Sequence, residues 1–202
     1  MSILKKTKQI KDITSFSKKY FTRINEIIFN INFKEIKKIE NEFMDLHKKN
    51  STLFVFGNGG GAATAMTMAN DLGFDIQKKT KIKRTFKIIS LNDNSSVVTA
   101  IANDVGYEEI FLNQLKIHFK KNDKILIFSA SGNSENLIKA AKWVRKKGGR
   151  VISILGFDGG RLKKISNCYC HIKTEKGEYG PVEDLQLMLN HILAHWFQVK
   201  FK

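Results

Sequence analysis

Along residues 3–31 and 33–48 the apolar positions recur at helical spacing. Ile10, Ile13, Phe16, Tyr20, Ile24, Ile27 and Ile28 mark the first stretch, and Phe33, Ile36, Ile39, Phe43 and Leu46 the second, set among Lys and Glu. The pattern predicts two amphipathic helices, each so apolar on one face that it must pack on the body of the protein or on a second copy of it. From Thr52 the rhythm changes to short apolar runs. LFVF at 53–56, FKIISL at 86–91, KILIFS at 124–129, RVISIL at 150–155 and CYCHI at 168–172 read as strands. Their apolar content is nearly continuous, as in parallel strands covered on both faces. GGAATAMTMANDLG, SSVVTAIANDVGYEEIFLNQLKIHF, SENLIKAAKWVRKKG and VEDLQLMLNHILAHWF follow the strands as helical stretches. The alternation predicts a doubly wound α/β sheet, whose ligands bind at the carboxyl ends of the strands.

Two strand-to-helix corners carry candidate chemistry. After the first strand comes Gly57-Asn58-Gly59-Gly60-Gly61, followed by the small residues Ala62, Ala63, Thr64 and Ala65. Glycines here allow tight turns and uncover amide N–H groups at a helix start, where the dipole favours an anion; the bland reading is a tight turn alone. After the third strand comes Ser129-Ala130-Ser131-Gly132-Asn133-Ser134-Glu135-Asn136. Its hydroxyls, glycine and free helix-start amides suit a phosphate monoester held by hydrogen bonds without lysine. Capping a helix accounts for Ser134 alone, and leaves Ser129 and Ser131 without a structural purpose. Neither GxxxxGK[ST] nor GxGxxG occurs, which counts against nucleotide-binding motifs.

The 202 residues suit one globular domain. No apolar run approaches the roughly 20 residues of a membrane helix, and MSILKKTKQIKD lacks the apolar core of a secretory signal, so a cytoplasmic protein is expected. Cys168 and Cys170 form a CxC spacing without a second pair and read as ordinary strand residues in a reducing compartment. The formal net charge of +16 is diffuse, with 12 Lys/Arg against 6 Asp/Glu in residues 1–50 and the rest spread over the remainder. Its densest run, KKTKIKR at 78–84, reads as a solvated loop. Direct nucleic-acid binding rests on charge alone, since neither a basic recognition helix nor an aromatic stacking platform is visible. A positive field nonetheless raises the local concentration of a phosphorylated metabolite.

The two corners, together with Ala102-Asn103-Asp104-Val105-Gly106-Tyr107-Glu108 and Gly156-Phe157-Asp158-Gly159-Gly160, resemble the sugar isomerase (SIS) domain, and within it the phosphoheptose isomerases. The resemblance runs from about residue 50 to the end. It implies a three-layer αβα sandwich with a five-stranded parallel sheet, an N-terminal helical extension at 1–50 before a SIS domain at 51–202, and homotetramers with active sites between subunits. The implied activity is aldose-ketose isomerisation of sedoheptulose 7-phosphate to a glycero-manno-heptose 7-phosphate, or of a similar sugar phosphate pair. By the same resemblance Asn58, Gly59, Gly60 and Gly61 fall on the first substrate loop. Asn103 and Asp104 fall on a substrate-contacting pair supplied partly by a neighbouring subunit, and Ser129, Ala130, Ser131 and Ser134 on the phosphate grip.

The family's catalytic helix pattern is altered. Where the family has His and, four residues on, Glu, this chain has Thr67 and Asp71; where it has Gln and, eight on, His, it has Glu183 and His191. In the family these four surround zinc, and the Glu and the last His exchange the proton. The resemblance therefore implies Asp71 and His191 as the proton-transfer pair, Glu183 as a substrate residue, and Asp71, Glu183 and His191 as a three-ligand site for a divalent metal such as zinc. Without the family, Glu183 is a helix-start acid and His191 a packed helix residue. Gly61 also replaces the serine usual at the end of the first loop. The competing reading is a non-catalytic sugar-phosphate sensor or tetrameric scaffold, like the relatives that assist the replication initiator.

Overall fold

The computed structural model describes residues 11–202. The first helix, α1, spans Ile13–Phe29 and is capped by Asp12, whose carboxylate accepts from the amides of Thr14 and Ser15. Its expected reach back to residue 3, with Ile10, lies outside the described residues, and Lys11 and Asp12 stand before the helix. The second, α2, spans Phe33–Lys49 and ends at Asn50 in the left-handed region. Ile24, Ile27, Ile39, Phe43 and Leu46 are buried against the body of the protein, in one cluster with residues of the sheet and of the last helix. Ile13, Phe21, Phe29 and Phe33 remain exposed.

Five strands follow: β1 (Thr52–Gly57), β2 (Lys87–Ser90), β3 (Lys124–Ser129), β4 (Arg150–Leu155) and β5 (Cys168–His171). All neighbours pair in parallel, in the order β2-β1-β3-β4-β5. Side-chain alternation sends Leu53, Val55, Leu126, Phe128, Ile152 and Ile154 to one face, beneath α1, α2 and the last helix. Phe54, Phe56, Ile125, Ile127 and Val151 go to the other. The chain leaves β1 for β2 and returns to β3 on β1's far side. The β1/β3 gap is thus the switch point, where the two loops after these strands open a crevice.

The helices between strands are α3 (Gly60–Ala69), α4 (Ile76–Thr80), α5 (Ser95–Asp104), α6 (Ile110–His118), α7 (Glu135–Lys146) and α8 (Gly160–Ile165), and α9 (Tyr179–Lys200) follows the last strand. Two differ from the sequence expectation. The helix expected over 60–73 passes at Asn70–Asp75 into a π-turn. Within this wider turn the carbonyls of Leu72 and Gly73 accept from Thr85 Oγ1 at 3.2 and 3.0 Å. The stretch expected as one helix from 95 breaks at Gly106, whose φ of 128° no L side chain adopts easily, and resumes through a 3₁₀ turn at Tyr107–Glu109. The basic run at 78–84 is partly helical, with Lys79 bonded to Asp75.

Burial pushes the Cys168 thiol up to about 11 and the Cys170 thiol to about 12, so both behave as small apolar strand residues. At the end of β5, half-buried His171 donates from Nε2 to the Phe157 carbonyl (3.0 Å), while Nδ1 accepts from the Lys163 ammonium (3.1 Å). Burial holds this imidazole below its usual 6.5. The unfolded chain therefore takes up the proton first, and stability is expected to fall as pH drops below about 6.5, a slope that His171→Gln removes in denaturant midpoints measured against pH. No helix among the described residues is long and apolar enough to cross a membrane.

Candidate functional site

The first corner is shaped by Gly59, at φ 54° and ψ −125°, which starts α3 without a side-chain cap. The carbonyls of Asn58 and Gly59 take up the amides of Gly61 and Ala62. A Cβ at Gly60 would overlap the Glu183 carboxylate, so Gly60 leaves the space that the first turn of α9 fills with that carboxylate. Asn58 is tied across the crevice. Its Nδ2 donates to Asn136 Oδ1 and its Oδ1 accepts from Asn136 Nδ2, each at 3.0 Å. The Tyr107 hydroxyl donates to the same Asn58 oxygen at 3.1 Å.

In the second corner the hydroxyl oxygens of Ser129 and Ser131 accept from the amides of Gly132 (3.0 Å) and Asn133 (3.2 Å). These two serines have the structural purpose that the sequence did not disclose. With the oxygen already accepting, the hydroxyl hydrogen is left to donate outward. Ser134 sits at the N-cap of α7 but makes no side-chain cap bond, which removes the bland account of it. The Gly156–Gly160 segment is the buttress of this loop. Gly132, at φ 64°, lies so close to it that a Cβ would overlap the Gly159 carbonyl. The Leu162 amide also bonds the Gly132 carbonyl at 2.9 Å, and the Arg161 amide bonds Asn133 Oδ1 at 3.0 Å. Gly132→Ala is expected to cost about 1–3 kcal/mol through left-handed strain and this overlap. A denaturant midpoint measures the loss, and a phosphate ester titration should show weakened binding as the loop lifts away from its buttress.

A cavity of about 120 Å³ lies between the corners, lined by Asn58, Gly61, Ser129, Ala130, Ser131, Ser134 and Glu183, with Tyr179 and Gln186 closing it. Its volume is that of about four water molecules, the scale of a phosphate group. The start of α9 is held by α1. Arg23 pairs with buried Glu178 through Nε (3.0 Å) and Nη2 (2.8 Å), and the Tyr20 hydroxyl donates to Asp184 at 2.5 Å. Burial, then the Asp184 bond and charge, push the Tyr20 phenol far above its ordinary value, so it stays a donor.

Asp71 and His191 come together from the π-turn and α9, with Asp71 Oδ2 at 3.7 Å from His191 Nε2. The carboxylate is held by Asn190 Nδ2 at 2.7 Å and Asn70 Nδ2 at 3.1 Å. Asn190, buried in the otherwise apolar LMLNHIL, escaped the sequence reading; a polar residue on a core-facing helix position was its signal. Neither Asp71 nor His191 lines the cavity. Asn103 and Asp104 are exposed at the end of α5, bonded to each other, and do not line it either. Tyr107, Asn136 and Gln186 are site neighbours that the sequence did not single out.

The expected three-ligand metal site does not assemble within one chain. The Glu183 carboxylate packs on Gly60 at the first turn of α9, while Asp71 and His191 meet farther along that helix. Among the described residues no group of three or more His, Cys, Asp or Glu is close enough to hold an ion.

A family model for the SIS domain matches residues 19–156. The chain belongs to the SIS domain family. Among curated SIS relatives, the phosphoheptose isomerase of a Nitratiruptor species is 32% identical over 154 residues, covering 76% of this chain and 80% of that protein. The probable phosphoheptose isomerase of Thermoplasma acidophilum is 29% identical over 185 residues, covering 92% and 99%. The solved phosphoheptose isomerase of Neisseria gonorrhoeae superposes with a TM-score of 0.83 at 20% identity, over 93% of this chain and all of that one, and shares the fold with its five-stranded parallel sheet. The Vibrio vulnificus NanR protein complexed with ManNAc-6P superposes with a TM-score of 0.64 at 15% identity, over 96% of this chain and 65% of that one.

Proposed function

We propose that this SIS protein is an aldose-ketose isomerase acting on a seven-carbon sugar phosphate, sedoheptulose 7-phosphate or a close analogue, in the cytoplasm. The observation that carries the reading is the cavity in which the uncapped Ser134 hydroxyl, the Ser129 and Ser131 hydroxyls and Asn58 converge at the sheet's switch point. Ser129, Ser131 and Ser134 hold the phosphate, with Ala130 and the Gly59–Gly61 turn giving the backbone room to approach it. Glu183 accepts from sugar hydroxyls beside Gly60. The two phosphoheptose isomerase relatives supply the substrate class.

Isomerisation needs a base to lift a proton from the carbon beside the carbonyl and an acid to return it one carbon away. Asp71, oriented by Asn190 and Asn70, and His191 form that pair. Because they stand outside the cavity of their own chain, the working site forms between copies in a homotetramer, which also brings Asn103 and Asp104 of a neighbour to the sugar. The exposed Ile13, Phe21 and Phe29 of α1 and Met188, Ile192 and Trp196 of α9 suit such contacts. Among the described residues of one chain Asp71, Glu183 and His191 do not meet as three metal ligands, and the roles given to Asp71 and His191 rest on their own geometry.

The test is turnover of sedoheptulose 7-phosphate by the purified full chain, with its mass in solution measured alongside. A tetramer that converts the sugar supports the reading. A protein that binds the sugar phosphate and never converts it overturns the enzymatic claim in favour of a sensor or scaffold. Thr67, whose hydroxyl is spent on the Ala63 carbonyl, and the ManNAc-6P complex of NanR favour that alternative.

A further inference from the structure

At the end of the sheet opposite the serine corner, a cleft of about 700 Å³ opens beside the first residues of β3 and β4. It lies one strand length, about 20 Å, from the sugar-phosphate cavity. Its walls bring together Lys116, Lys120, Lys121 and Lys147 with the rings of Phe119 and Trp143. The rings meet edge to face at 5.9 Å, and the Lys147 ammonium stands 5.7 Å from the Trp143 ring centre. The sequence shows no stacking platform because these rings are separated by a strand and a helix; the fold assembles one.

Basic side chains outnumber carboxylates on this cleft, with Lys49, Lys116, Lys120, Lys121, Lys124, Lys147 and Arg150 against Asp45 and Asp123. Asp45 pairs within the cleft with Lys124 and Lys49, and Asp123 accepts from the amides of Thr52 and Lys120. Among the described residues no carboxylate lies within ion-pair distance of Lys116, Lys120, Lys121 or Lys147. A basic residue in a helix's last turn complements the helix dipole, and Lys116 has that explanation. Lys120 and Lys121 lie beyond the end of α6 and have none. A cleft of this size with a half-buried aromatic wall and several unpaired ammonium groups matches a ligand that is planar at one end and carries multiple negative charges at the other.

We propose that the cleft is a second binding site, for a nucleoside polyphosphate, with the base on Trp143 and the phosphates among Lys116, Lys120 and Lys121. This site stands whether or not the isomerase reading holds.

The probes are ATP, tripolyphosphate and adenosine, titrated calorimetrically into the full chain at low salt without divalent ions. ATP is expected to bind at one site, more tightly than either half alone. Lys120→Glu with Lys121→Glu should weaken ATP by at least about tenfold, as should raised salt. Trp143→Ala should weaken ATP about five- to tenfold and leave tripolyphosphate unchanged. The lysines are exposed and Trp143 is half-buried, so circular dichroism should report unaltered folding in each variant. ATP binding undiminished in the lysine variant overturns the proposal, as does absence of ATP binding at millimolar concentration. Equal binding of tripolyphosphate and ATP, indifferent to Trp143, overturns the nucleoside assignment. A DNA duplex held more tightly than ATP by the same lysines overturns it in favour of nucleic acid.

Discussion

His191→Ala is expected to lower kcat for the sugar phosphate by about 10²- to 10⁴-fold, the usual share of one positioned proton-transfer group. The Kd for the same sugar phosphate should stay within about twofold, because His191 does not line the cavity that grips the phosphate. Asp71→Asn should lower kcat in the same way, since it keeps the bulk beside Asn190 while removing the base. Stopped-flow turnover and ligand titration on the same preparations separate the two quantities. Full turnover in the His191 variant would remove this side chain from the chemistry and transfer support to the sensor reading.

The largest stability effect is expected away from the site, where Lys124 opens β3 with its side chain only 2% exposed. Its ammonium donates to the carbonyl of Glu42 at 2.8 Å and to the Glu42 carboxylate at 2.7 Å, and pairs with Asp45 at 2.8 Å. Arg150, the first residue of β4, binds the same Glu42 carboxylate through Nε at 2.9 and 2.8 Å. The cluster fastens α2 to the beginnings of two central strands. Glu42→Ala leaves a buried cation with only Asp45 and one carbonyl, so a loss of about 3 kcal/mol is expected, at the low end for a broken buried pair. Lys124→Met in the same background should recover most of it, since removing the charge removes the cost of burying it. Burial alone would raise the Glu42 carboxyl, but the bonds from Arg150 and Lys124 outweigh it and hold the group below its usual 4.5. Its stabilisation is therefore complete above about pH 4.5 and lost as pH falls through the lower folded value. Urea midpoints should show this acid-side loss in the natural chain and not in the Glu42→Ala chain.

The alternation of short apolar runs with helical stretches located all five strands to within a residue or two, because buried parallel strands leave little choice of residue type. The sheet's switch point then pointed to the loops after β1 and β3. What the pattern could not carry was anything decided by pairing across the sheet. Asn58 and Asn136 are 78 positions apart, and only the meeting of β1 with β3 makes them partners. Ser129 and Ser131 read as unassigned hydroxyls because the amides they serve belong to a turn whose shape depends on Gly132 lying against Gly159. Periodicity likewise ran through Gly106 and through the π-turn, since neither a positive φ nor a shift in hydrogen-bond register alters the spacing of apolar residues. The Asp71–His191 approach was legible only through the family's motif, and the seat of Glu183 against Gly60 only once the first turn of α9 is seen to pack on the first corner.

The reciprocal amide pair between Asn58 and Asn136 contains no group that gains or loses a proton in the physiological range. The clasp that sets the spacing of the two corners is thus indifferent to acidity. Across the neutral range, a drift in ligand affinity with pH then has its source outside this clasp, the ligand's own phosphate ionisation among the candidates, rather than in a change of the spacing the clasp sets.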